Sequence, residues 1–244
     1  MAFATTRGTD GAPDSFLGTT GEDAILLQNQ SDAAFVSGRQ ADDTVTVTSF
    51  EQLVSNQTLR GGAGDDTVNV QNATNINASF IAQDDGNDAI TLNSVSNSTV
   101  QGNIGNDILT VAGLVNTSVV NGNQNNDTLN VNGGVSAGQI YGGIGFDIIN
   151  INTNSTGVSR FQGNEDGDSI NIAAAVDLNG ATVNGNQGND TITVGTAAAG
   201  LGGFANSTIF GGSGNDTLNA ANAASTIDLI VHTNDGNDNI TTAN

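Results

Sequence analysis

An aspartate recurs along this chain at Asp23, Asp43, Asp66, Asp88, Asp107, Asp127, Asp147, Asp168, Asp190, Asp216 and Asp238, at intervals of 19 to 26 residues. Short glycine- and asparagine-rich stretches lead into it, among them Gly61-Gly62-Ala63-Gly64-Asp65, Gly102-Asn103-Ile104-Gly105-Asn106 and Gly185-Asn186-Gln187-Gly188-Asn189. Glycine, and less readily asparagine, holds the backbone at φ > 0, so such a turn can point several carbonyl oxygens the same way. If each interval is one coil of a stack, the carboxylates line up about 5 Å apart. Like charges that close are unfavourable. A hard divalent cation such as calcium takes six to eight oxygens from carboxylates and backbone carbonyls. It would relieve the repulsion and fix the turn. Asp43, Asp66, Asp88, Asp107, Asp127, Asp147, Asp168, Asp190, Asp216 and Asp238 are therefore the candidate metal ligands. The competing reading is a metal-free ladder in which Asp and Asn only hydrogen-bond the turn backbone.

The elements that would position these turns are equally regular. Two residues after each Asp stands a branched aliphatic, from Ile25 and Val45 through Leu129 and Ile149 to Ile240. Four after it comes a second apolar column that fails only at Thr242. Seven before it lies a third: Phe16, Val36, Leu59, Ile81, Val100, Val120, Ile140, Phe161, Val183, Ile209 and Val231. The +2/+4 spacing is that of a strand with one face buried, and the third column marks a second short strand. Position +3 alternates Asn and Thr (Asn69, Thr91, Thr110, Asn130, Asn150), facing outward. One coil cannot bury its apolar positions alone, so coils must stack. The expectation is an all-β parallel β-solenoid of about eleven coils of roughly 20–22 residues, roughly 50 Å long at strand spacing. Each coil should run strand, glycine turn, strand and a looser corner, such as 112–117 or 173–180, that carries no metal. Residues 16–244 would form this single domain. Residues 1–15 would be an extension acting as a local cap or as an assembly strand on a neighbouring copy.

Composition narrows the function. There are 25 acidic residues against four Arg (Arg7, Arg39, Arg60, Arg160), no Lys and no Cys. A formal charge of −21 argues against nucleic acid, which needs clustered cations, and against anionic membrane surfaces. No apolar run approaches the length needed to span a membrane. Without cysteine there is no thiolate metal site and no disulfide framework. The beginning, Met1-Ala-Phe-Ala-Thr-Thr-Arg7, has no basic region followed by an apolar core, so no cleavable signal peptide is seen. Catalysis on a β-helix needs a carboxylate pair or a base with cationic partners. The repeat accounts for the abundant Asp, and the one His, His232, reads as an exposed turn residue. The chain is expected not to be an enzyme.

The turns resemble the G-G-x-G-x-D-x-U-x calcium repeats of the RTX, or haemolysin-type, family, over about Phe16 to Thr242. The resemblance implies several calcium ions along one edge, each shared by consecutive stacked turns. The chain departs from the family pattern in carrying such turns on one edge only. Individual turns also vary: Asn125 replaces the second glycine of one, Gln83 and Thr233 replace the first glycine of two others, and Phe146 precedes Asp147. The expected function is an extracellular, calcium-binding structural protein of a bacterial cell surface, self-assembling end to end into a homo-oligomeric filament, sheath or layer. Alternatives are a virion or appendage decoration or fibre protein, and a non-catalytic carbohydrate- or ice-binding module.

Overall fold

The computed structural model describes residues 2–7, 14–28, 34–48, 53–71, 75–173, 176–195, 206–220 and 230–242. All the regular structure in these segments is β. Every strand pairing is parallel, and the chain is a parallel β-solenoid.

Two long sheets carry the stack. One has twelve strands and contains the +2/+4 columns; the other has eleven and contains the −7 column and the first half of each glycine turn. Register is strict: Ile90 stands beside Leu109, Leu109 beside Leu129, and Leu129 beside Ile149. The alternating pattern thus becomes stacked aliphatic columns in one continuous core. From Val36 to Ala220 about nine turns bury all three columns completely. At the first turn Phe16 is only partly buried. At the last, Val231 is half-buried and Ile240 is exposed. Eleven coils were expected; about nine are fully packed, because a coil at either end of the stack has a neighbour on one side only.

The loose corner is a structured third face. Six short strands, Leu53–Ser55, Asn75–Asn77, Val95–Ser96, Val115–Asn116, Val135–Ser136 and Ser155–Thr156, form a parallel sheet of their own. A bridge between Ser155 and Leu178 extends it. Ile76, Val95, Val115 and Val135 turn inward from it into the core. These coils are therefore triangular, with a third wall where a looser corner was expected. Within residues 1–15, Ala2–Arg7 is a strand of this chain's own stack, Ala2 lying beside Asp23. Residues 196–205 of the longest corner, and 174–175 of another, lie outside the described residues.

Candidate cation edge

Strand alternation decides where the aspartates point. Each Asp lies two residues before an inward aliphatic, so its side chain shares the inward face. Asp43, Asp66, Asp88, Asp107, Asp127, Asp147, Asp168, Asp190 and Asp216 are all buried, and Asp238 is half-buried in the last turn. The column therefore stands inside the glycine turn with the solvent shut out.

Its two oxygens do different work. Each Oδ1 accepts the backbone N–H of the aspartate one coil earlier: Asp23 to Asp43, Asp43 to Asp66, and so on to Asp216 to Asp238. The distances are 2.6–2.9 Å, at the short end of the range for N–H···O bonds. Each Oδ2 from Asp43 to Asp216 is buried with no hydrogen-bond partner. An unpartnered buried carboxylate oxygen is costly, and nine in register along one edge require an account.

The charge state follows from this placement. Burial raises the carboxyl pKa along the column; the donated N–H of the preceding aspartate pulls it down less strongly. At several turns the charges of neighbouring aspartates add to the rise. Asp107 and Asp190 are pushed up to about 6, Asp66, Asp88 and Asp147 to about 7, and Asp127 and Asp168 to about 8. Asp43 and Asp216 move the same way. At neutral pH the column calls for positive charge, as protons or as a cation.

The turn backbone shapes the surroundings of these oxygens. The second residue of the turn is left-handed at Gly62 (φ 125°), Asn103 (83°), Asn123 (85°) and Asn186 (81°). The fourth is left-handed too, and Asn125, at 75°, does there what glycine does elsewhere. The first glycine is needed for space. A methyl group on Gly102 would run into Asp107 Oδ2 and the carbonyl oxygen of Gly122 in the next coil. Beside Gly38 the same pair is Asp43 Oδ2 with the Gly61 carbonyl; beside Gly185 it is Asp190 Oδ2 with the Gly211 carbonyl. An orphaned carboxylate oxygen and a carbonyl from the next coil thus converge, turn after turn, on space that a Cβ would fill. These are hard oxygen donors, and they fit calcium. Among the described residues no three carboxylates or imidazoles come together as a metal cluster, so a cation held here must draw on backbone carbonyls for much of its coordination.

Further ladders run beside this one. In the residue before the aspartate, Asp42, Asp65, Asn87, Asn106 and Asn126 each accept with Oδ1 the backbone N–H of the next coil, at 2.8–2.9 Å. The direction is opposite to that of the buried column, and the ladder is exposed. A buried serine column, Ser79, Ser98 and Ser118, accepts with Oγ the N–H groups of the coil before, in the direction of the buried aspartates. On the outward +3 positions Asn150 and Asn171 each donate to the Asn of the coil before, at 2.9 and 3.0 Å. The Asn/Asp at −1 and the Ser at −9 recur in the sequence and could have been found by extending the column search. His232 is exposed, but it lies in the strand Ile230–Asp235 with its ring stacked 5.2 Å from that of Phe210.

No protein-family model matches the chain, and no curated protein matches it.

Proposed function

We propose that this is a calcium-binding structural solenoid of the RTX type, working outside the cell, with ions along the edge defined by Asp43 to Asp216. The observation that carries the reading is the row of nine buried, unpartnered Oδ2 atoms. No lysine and only four arginines are present in the whole chain to neutralise it. Asp43, Asp66, Asp107, Asp127, Asp147, Asp168, Asp190 and Asp216 would hold the ions through Oδ2, together with turn carbonyls such as those of Gly61, Gly122 and Gly211, while at Asp88 a glutamine, Gln83, stands where most turns have their first glycine. Bound calcium supplies positive charge and an oxygen-seeking centre that ties one turn to the next. The chain's own part is to present the oxygens already desolvated and to keep the column in register. Because an ion of this kind binds the folded chain far better than the unfolded one, calcium becomes folding free energy. Extracellular modules work with calcium affinities in the 10⁻⁴–10⁻³ M range, which suits a role as a scaffold that orders on export. Self-association into a filament or layer is part of this proposal. Far-UV circular dichroism and electron microscopy, with millimolar calcium and with chelator, test it. Strand signal and assemblies that require calcium support the reading; an unchanged spectrum and melting temperature in chelator refute it.

A second reading, a carbohydrate-binding module, is favoured by one feature. A polar trough of about 600 Å³ runs over the outer face of the eleven-stranded sheet between Gln162, Asn164, Asn184 and Asn186, with Glu165 and Asp235 also in its lining. Amides of this kind suit hydroxyl-rich ligands. Binding on a glycan array that is lost in Asn184→Ala would favour it.

A further inference from the structure

The first position of the glycine turn reads Gly38, Gly61, Gln83, Gly102, Gly122, Gly142, Gly163, Gly185 and Gly211 through the packed coils. Gln83 is the exception inside the stack. Its register is unambiguous: Ala82 stands beside Arg60 and Gln101, and Asp84 beside Gly62 and Asn103. Gln83 is thus level with Gly61 and Gly102, and on the same inward face. Its side chain is completely buried, 0% exposed, and neither Oε1 nor Nε2 has a hydrogen-bond partner.

At the flanking turns the space beside the first glycine is where Oδ2 arrives: a Cβ on Gly61 would meet Asp66 Oδ2, and one on Gly102 would meet Asp107 Oδ2. Gln83 puts a Cβ and a carboxamide into that space. In the same turn Asp88 is buried, its Oδ1 accepts the Asp66 N–H at 2.6 Å, and its Oδ2 has no partner. The one nearby guanidinium is engaged elsewhere. Arg60 pairs with Asp84 at 3.0 Å and lies over the Phe80 ring. Three orphaned polar atoms, Asp88 Oδ2 and the two of Gln83, therefore share one buried turn. A carboxamide offers two N–H donors, so a rotation that turns Nε2 toward Asp88 Oδ2 satisfies the carboxylate from within the chain.

We propose that Gln83 is a built-in occupant of the cation space at the Asp88 turn, dividing the row of calcium sites into a short segment at Asp43 and Asp66 and a long one from Asp107 to Asp216. This rests on the calcium reading above. The two segments then fill independently, and the Asp88 turn holds its shape without an ion.

Native mass spectrometry of the full chain across a calcium titration tests this in wild type, Gln83→Gly, Asp88→Asn and Asp127→Asn. The expected result is at least one more ion per chain in Gln83→Gly than in wild type. Asp88→Asn keeps the wild-type count, and Asp127→Asn lowers it. The asparagine variants retain the Oδ1 acceptor, so they keep the test open should Gln83→Gly fold poorly. An unchanged count in Gln83→Gly overturns the proposal, as does a loss in Asp88→Asn equal to that in Asp127→Asn. A wild-type chain that binds no calcium overturns the calcium reading as well, whereas the first two results leave that reading standing.

Discussion

Replacing Asp107 by asparagine should stabilise the chain in the absence of calcium and lose that advantage in its presence. Asp107 Oδ1 accepts the Asp88 N–H at 2.8 Å, and an asparagine oxygen keeps that bond. What changes is Oδ2, which is buried and unpartnered and, like the Gly122 carbonyl oxygen, crowds the place that a Cβ on Gly102 would take. The Asp107 carboxyl is pushed from 3.8 to about 6, chiefly by burial. A rise of about two units corresponds to about 3 kcal/mol of destabilisation once the group is ionised, at 1.36 kcal/mol per unit. Asparagine removes that charge and can donate an N–H to the Gly122 carbonyl. In chelator at pH 8, Asp107→Asn should therefore be more stable than wild type by up to about 3 kcal/mol. In calcium the same change removes a charged ligand. A single ion present at 100 times its dissociation constant contributes about 2.7 kcal/mol, which offsets nearly all of that gain, so calcium should shrink the variant's advantage to almost nothing. Urea unfolding followed by circular dichroism at pH 8, in chelator and in saturating calcium, gives both differences. Destabilisation by the same amount in both conditions would refute the reasoning, because Oδ2 would then be neither a strained charge nor a ligand.

Three further outcomes follow from the packing and the ladders. In chelator, stability should be highest at acid pH and fall as pH rises toward 8. The carboxyls from Asp66 to Asp190 in the column are pushed up to about 6 to 8 in the fold from 3.8, so the folded chain holds more protons in between and loses their contribution as pH passes through the folded values. Thermal melts at pH 5 and pH 8 check this, and calcium should restore stability at pH 8 while changing little at pH 5. Ile149→Ala, at a side chain 0% exposed in the central column, should cost about 2–5 kcal/mol as a cavity between two coils that cannot close over it, measured by denaturant unfolding. Phe146 is 64% exposed and breaks the outer ladder: its own N–H bonds Asn126 Oδ1, but it offers no oxygen to Gly167. Phe146→Asn should extend the ladder by one bond and raise stability by about 0.5–1.5 kcal/mol, seen as a higher melting temperature.

The three apolar columns and the turn were legible in the sequence because their signal is strictly periodic. Val68, Ile90, Leu109, Leu129 and Ile149 stand at one offset from the aspartate, and each is buried. The third sheet was missed for a physical reason. Val95–Ser96 and Val115–Asn116 are strands of two residues, too short to show alternation, and only the recurrence of Ile76, Val95, Val115 and Val135 five residues before the −7 column betrays them. The orientation of the aspartates was readable but unread. Positions 0, +2 and +4 share one parity, so Asp107 had to face the way Leu109 and Val111 face. The same parity sends Gln83 inward with Ile81. What parity cannot give is the division of labour between Oδ1 and Oδ2. That depends on how closely successive turns stack, which is a property of the assembled coils.

The central claim, that the buried oxygen row is a row of cation sites, is tested most directly by a crystal structure grown in calcium, with anomalous difference density collected for the ions. The account predicts a line of peaks on the glycine-turn edge alone, each within bonding distance of an Oδ2 between Asp107 and Asp216 and of a turn carbonyl from the adjacent coil. Density that shows these carboxylates without ions in saturating calcium, or ions confined to the exposed Asp42 and Asp65 ladder, would contradict it.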